Sequence, residues 1–251
     1  MANLILDDIC VRFGGLQALT DVSFSVSEGE VIGLIGPNGA GKTTVFNVIT
    51  GVYRVSSGQA SYDGATITGM RPHQILGMGI ARTFQNIRLF QNMTALENCM
   101  VAQHSRSRTG VVGAILRSPS QRSEEARIQE KAQQALDFMG LGRKADEVAS
   151  NLPYGYQRRL EIARALASEP RTILLDEPAA GLNPAESKQL MESIGRITNL
   201  GINVLMVEHD MKVVMGICNR IIVLDHGVMI AEGLPEEIQR NPDVIEAYLG
   251  Q

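Results

Sequence analysis

The chain has 251 residues, of which 44% are apolar and 20% charged, and its formal net charge is −4. This composition is ordinary for a globular protein that folds in water, and the acidic balance argues against a nucleic-acid partner, which needs a basic domain or stripe. No run approaches the roughly eighteen consecutive apolar residues of a transmembrane helix, so any membrane contact is expected to come through a partner.

Taken in order, the opening stretch MANLILDDICVRF lacks a basic lead and meets two aspartates at once, so it is not expected to be a secretory signal. LILDDICVRF and ALTDVSFSV alternate in character and read as half-exposed antiparallel strands, whereas EVIGLIG is continuously apolar and suits a buried strand. That strand runs into PNGAGKTTVFNVITG, a glycine-rich turn and a helix that Gly51 is expected to end. A strand and turn around GQASYDG follow. Residues 92–103 and 124–139 have helical texture. Between them lies HSRSRTGVVGAILRSPSQRS, residues 104–123, with four arginines and no acid. It reads as a solvated loop, and its functional alternative is a surface for a membrane partner or lipid headgroups.

From residue 154 the rhythm changes. A helix over 154–168 leads to TILLDEP, a second over 185–199 leads to INVLMVEHD, RIIVLDHG is a third apolar run, and PDVIEAYLG closes with a short helix. Strands alternating with helices predict an α/β fold, a mostly parallel sheet with flanking helices, with a helical insertion near 90–160. The three cysteines, Cys10, Cys99 and Cys218, are far apart and odd in number. They read as reduced thiols of a cytoplasmic protein, not as a disulfide frame or a zinc site.

The sharpest motif is GPNGAGKTT, which fits G-x-x-x-x-G-K-[ST] between a predicted strand and a predicted helix. Gly36, Gly39 and Gly41 let the backbone curl, so that successive N–H groups of the loop through Pro37, Asn38 and Ala40 turn toward phosphate oxygens. Lys42 brings positive charge to the β- and γ-phosphates of ATP, Thr43 offers a hydroxyl to Mg²⁺, and Thr44 can bond phosphate. TILLDEP ends a buried strand in two carboxylates, at the edge where open α/β sheets take ligands. Asp176 is expected to hold Mg²⁺ through water, and Glu177 to orient or deprotonate the attacking water. His209, after another buried strand, is placed to sense the γ-phosphate. Gln85, in ARTFQNIRLF, closes a short apolar strand and by itself says little.

Over nearly its whole length the chain resembles the ATP-binding subunit of ABC transporters. GPNGAGKTT looks like Walker A and ILLDEP like Walker B with its catalytic glutamate. The resemblance implies a P-loop NTPase core with an antiparallel β subdomain and a helical subdomain. It makes 1–251 one ABC ATPase domain, with 1–90 and 160–251 as core and 91–159 as the helical part. It gives Gln85 the role of magnesium ligand and link to the membrane partner, His209 that of switch histidine, and Phe13 that of the aromatic stacked on adenine. GLNP resembles the D-loop, with Asn183 where aspartate is usual. LPYGYQRRLEIARAL occupies the signature position, usually LSGGQ. Leu152, Gly155 and Gln157 hold position there, while Pro153, Tyr154 and Tyr156 depart from it. The usual serine hydroxyl is missing, so backbone N–H groups and Gly155 must carry more of the phosphate binding.

In that family two ATPase subunits meet head to tail, and the signature loop of each serves the ATP of the other. The resemblance therefore implies a second ABC ATPase subunit as partner, in a homo- or heterodimer. It also implies transmembrane permease subunits, contacted by residues around Gln85–Glu97, and indirectly a solute-binding protein. The chain would sit in the cytoplasm, peripheral on the inner face of the cell membrane. The segments ARTFQNIRLFQNMTALEN, EPAAGLNP, EHDMKVVMGI and NPDVIEAYLG look like the branched-chain amino-acid importer branch, with urea- or amide-type importers as near neighbours. Other readings are a soluble ABC ATPase acting on DNA or ribosomes, which usually needs two cassettes or long coiled coils, a P-loop kinase, which would lack the signature stretch and switch histidine, and a nonhydrolytic interaction subunit.

Overall fold

The computed structural model of the chain describes residues 2–103 and 119–249. Its elements in chain order begin with β1 (Ala2–Phe13), β2 (Leu16–Ser27), β3 (Val31–Ile35), α1 (Lys42–Ile49), β4 (Ser57–Tyr62), β5 (Ala65–Thr66), α2 (Pro72–Met78) and β6 (Ile80–Arg82). Helices α3 (Ala95–Gln103), α4 (Pro119–Phe138) and α5 (Tyr154–Ala167) follow. The remainder is β7 (Thr172–Asp176), α6 (Pro184–Thr198), β8 (Asn203–Val207), α7 (Met211–Ile217), β9 (Arg220–Asp225), β10 (Val228–Gly233), α8 (Pro235–Arg240) and α9 (Pro242–Leu249). None of the described helices is long and apolar enough to cross a membrane.

The chain divides into two compact units, Met1–Arg82 with Arg171–Gln251, and Thr83–Pro170. In the first unit the described strands form a four-stranded sheet ordered β2-β1-β4-β5 and a six-stranded sheet ordered β10-β9-β3-β8-β7-β6. The four-stranded sheet is antiparallel. One face of β2 is buried through Leu19, Val22, Phe24 and Val26 while the residues between them stay accessible, the period-two pattern of a sheet with one wet face. Strands β3, β7 and β8 are buried at every position, as parallel strands covered on both faces must be. Side chains from both sheets and from α1 share one core, including Leu6, Phe24, Leu34, Phe46 and Leu174.

The register of the parallel strands places the chemistry. Leu34 pairs with Val207, and Val207 pairs with Asp176. The three strands thus end in one row, and the residues that follow each of them leave from the same edge.

The second unit holds α3, α4 and α5, each packed on the other two, around Cys99, Ala132, Leu136 and Leu160. Asn98 ties down the turn before α3, accepting from Phe90 N–H at 2.9 Å and donating to the Phe90 and Thr94 carbonyls at 3.1 and 2.9 Å. Helix α4 begins at Pro119, not at Glu124, because proline suits the first helical turn, where no backbone donor is needed. The remainder of the arginine-bearing stretch, 104–118, lies outside the described residues. Strand β6 stops at Arg82, so Gln85 lies beyond its end instead of closing it. All three cysteines are free thiols, and burial pushes the Cys99 and Cys218 thiols up to about 12.

Candidate functional site

The loop after β3 is shaped by two glycines that nothing larger can replace. Gly36 has φ +146°, and a Cβ there would lie 2.0 Å from the Leu224 carbonyl oxygen. Gly41, at φ +104°, starts α1, and a Cβ there would meet Leu19 Cδ2 at 2.8 Å. No side chain caps α1 and its first turn holds no acid. Its leading N–H groups therefore point out of the helix end without a carboxylate competitor, which is an anion seat. Gly36→Ala is expected to lower the urea midpoint and to weaken ATP binding together. The collision is with backbone, so it cannot be relieved by a rotamer change, and overpacking of this kind costs about 1–3 kcal/mol.

Lys42 is buried and folds over the loop, its Nζ donating to the Gly36 and Pro37 carbonyls at 2.7 and 2.8 Å. Burial pulls its ammonium below the ordinary lysine range, and the charges of Glu177 and Asp176 push it back up. Both carboxylates therefore lie within electrostatic reach of the loop. The exposed Thr43 and half-buried Thr44 follow on α1.

Asp176, the last residue of β7, is buried and paired to Arg82 at 2.9 Å. Arg82 also donates to Asn47 Oδ1 at 2.7 Å and lies over the Phe46 ring, 5.3 Å from its centre. The arginine thereby orients the carboxylate and fastens β7 to α1. Glu177 comes next with φ +47°, the left-handed region that side chains other than Gly, Asn and Asp seldom occupy. Its N–H donates to the Val207 carbonyl at 2.9 Å, so the turn that carries the carboxylate is pinned to the end of β8. Glu177 Oε1 meets His209 Nε2 at 2.6 Å, with the two side chains 14% and 44% exposed. With the carboxylate ionised, His209 is the donor in this pair.

The described residues contain no cluster of three or more His, Cys, Asp or Glu side chains that could hold a metal. A buried carboxylate at the end of β7 and a hydroxyl on α1 are instead the sparse kind of oxygen donor that suits Mg²⁺, which is held by one or two protein oxygens plus phosphates. Thr43 and Asp176 fit that description.

Phe13, at the end of β1, is 44% exposed and stands edge-on to Tyr53 with ring centres 5.0 Å apart. Asn183 caps α6, its Oδ1 accepting from Ala185 and Glu186 N–H at 3.0 Å while Glu186 returns a bond to Asn183 N–H at 3.1 Å.

Gln85 and the signature-like stretch belong to the second unit. Helix α5 starts at Tyr154, so Tyr154, Gly155 and Tyr156 form its first turn after Pro153. Gln157 closes that turn by donating to the Leu152 carbonyl at 2.8 Å. The tyrosines hold arginines: Tyr156 carries Arg159 over its ring at 4.3 Å, and the Tyr154 hydroxyl lies 3.3 Å from Arg158. Arg158 donates to the Phe84 and Gln85 carbonyls at 2.8 and 2.7 Å and pairs with Glu161 at 3.0 Å, both side chains being essentially inaccessible. A buried ion pair on α5 therefore grips the backbone of the segment that carries Gln85.

One residue of the first unit escapes sequence reasoning. Glu208, beside His209, is buried at 4% exposure. Burial raises its carboxyl, Ala179, His209 and Asp210 N–H bonds lower it, and the Glu177 charge raises it further. A glutamate beside a histidine after a strand reads as surface charge, and nothing local in VEHD says otherwise.

A family model described as ABC transporter matches residues 19–180, and one described as branched-chain amino acid ATP-binding cassette transporter matches residues 228–251. The chain is 48% identical to the high-affinity branched-chain amino acid transport ATP-binding protein LivG of Salmonella typhimurium, over 99% of this chain and 98% of that one. The corresponding protein of Escherichia coli K12 is 47% identical, with the same coverage. BraF of Pseudomonas aeruginosa, named for the same transport, is 46% identical over 99% of this chain and 98% of its own. Among solved structures, the ADP conformation of an ATP-binding cassette of an ABC transporter superposes with a TM-score of 0.87 at 32% identity, covering both chains fully. A nucleotide-free ATP-binding cassette gives the same TM-score at 33% identity, again over both chains.

Proposed function

This chain belongs to the ABC transporter family as an ATP-hydrolysing, ATP-binding subunit, and we propose that it drives a branched-chain amino-acid importer. The observation that carries the reading of the site is the Glu177–His209 pair at 2.6 Å on the strand edge that also bears the Lys42 loop. The cargo rests on the transport named for the relatives, at 46–48% identity over nearly the full length.

In this reading the loop N–H groups, the α1 terminus and Lys42 hold the phosphates of ATP. Lys42 exchanges its bonds to the Gly36 and Pro37 carbonyls for phosphate oxygens. Thr43 and Asp176 would hold Mg²⁺, and the ion would neutralise charge on the phosphates. Glu177 orients the attacking water and takes its proton. His209 bonds the γ-phosphate and, through its contact with Glu177, keeps the base aimed. Phe13 stacks on the adenine. The first turn of α5, with Gly155 between two tyrosines, serves the ATP of a second ABC ATPase, and the segment around Gln85–Glu97 meets the transmembrane permeases at the inner face of the membrane. A solute-binding protein supplies the cargo on the far side.

Lys42→Ala is expected to weaken MgATP binding by about 1.5–3 kcal/mol, the range for a charged hydrogen bond. Titration calorimetry would show this as roughly a 10- to 150-fold rise in Kd, and unchanged affinity would remove Lys42 from the phosphate seat.

The import reading is tested by capture. Tagged Glu177→Gln chain, taken from detergent-solubilised membranes with MgATP, should bring down two polytopic permeases and a second small ATPase. Recovery of ribosomes, nucleic acid or soluble proteins alone would overturn transport and leave the ATPase.

A further inference from the structure

The two groups given to hydrolysis stand on different loops. Glu177 follows β7 and His209 follows β8. Their side chains meet at the exposed end of the pair. Beneath them a second link joins the same two loops. Glu208 Oε1 accepts from Ala179 N–H at 2.7 Å, and its Oε2 accepts from His209 N–H at 3.0 Å and Asp210 N–H at 3.5 Å. Ala179 lies within the tight run of turns that begins at Glu177, where Ala180 N–H donates to the Glu177 carbonyl at 3.2 Å and Leu182 N–H to the Ala179 carbonyl at 3.2 Å.

A buried carboxylate is costly unless its lone pairs are taken, and here its two oxygens are split between the two loops. An amide of the same size has one acceptor oxygen. Its NH₂ group would face a backbone N–H on the other side, so only the carboxylate satisfies both loops at once.

We propose that Glu208 is a positioning residue, whose buried carboxylate fixes the separation of Glu177 and His209 by bonding Ala179 N–H on one loop and His209 N–H on the other. The loops are then one mechanical piece, and a shift of the Glu177–Leu182 turns carries the histidine with it. This rests on the roles given above to Glu177 and His209.

The test is a set of variants measured in the assembled transporter: Glu208→Gln, His209→Ala, Glu177→Gln and the double variant Glu208→Gln with His209→Ala. Glu208→Gln is expected to keep Kd and KM for MgATP within about threefold and to lower kcat by about 10²-fold, the loss that a misplacement near 1 Å brings. Because it acts through His209, it should slow His209→Ala no further when residual hydrolysis is read in single turnovers. Losses that multiply in the double variant would overturn the proposal, since independent structural damage adds in free energy. So would an unchanged kcat in Glu208→Gln, or affinity and kcat falling together. If Glu177→Gln or His209→Ala keeps full turnover, the assignment of the site fails, and the proposal falls with it. Should Glu208→Gln not fold, Glu208→Asp keeps the charge and shortens the reach by one methylene, and the same non-additivity is expected.

Discussion

Glu177→Gln is expected to bind MgATP as tightly as the parent chain and to hydrolyse it about 10²- to 10⁴-fold more slowly, the range for loss of a positioned general base. The carboxamide preserves the size of the side chain and the left-handed turn, whose backbone bond to Val207 does not involve the side chain. It can still accept from His209 Nε2 through its remaining oxygen. What it loses is the ability to take a proton from water. Quenched-flow hydrolysis together with equilibrium nucleotide titration separates the two effects. Retained turnover would remove Glu177 from the role of base, and lost affinity would show that its charge serves binding instead, through its pull on Lys42.

The second large effect is expected in the other unit. Arg158→Met should destabilise the chain by about 3–5 kcal/mol, the cost of breaking one side of a buried ion pair. The substitution takes the donors from the Phe84 and Gln85 carbonyls and the paired cation from Glu161. Burial already raises the Glu161 carboxyl, with Arg158 the chief opposing charge and Arg164 a lesser one. Without Arg158 that rise grows. A carboxyl whose folded value exceeds its unfolded value binds more protons folded than unfolded between the two values, so the variant loses stability as pH rises through that window. Below the window the carboxyl is neutral in both states and the penalty shrinks. Urea unfolding at several pH values measures both magnitude and slope. Adding Glu161→Gln should return part of the loss, since the stranded charge is then gone.

The phosphate loop was legible because its chemistry is local: three glycines, a lysine and a threonine at fixed spacing make a backbone shape whatever surrounds them. The buried strands were legible because β3, β7 and β8 are apolar runs without alternation. That these runs end in one row is a property of register between distant segments, which spacing along the chain does not encode. The same holds for Arg82 and Arg158. Each is one arginine among many in sequence, and each becomes a buried partner only after β6 or α5 has packed. Short α2, α7 and α8 went unread because helices of six or seven residues are too short to display a helical period. The cap of α6 was open to reading, since Asn183 with Glu186 three places on is a capping box.

Glu177 occupies a backbone conformation, φ +47°, that glycine adopts without strain. The fold therefore holds its proposed base at a position where the least functional of residues would be the most comfortable. Glu177→Gly would relieve that strain, but it would also remove the bond to His209 and loosen the unfolded chain, so an unstrained backbone and a carboxylate exclude one another at this position.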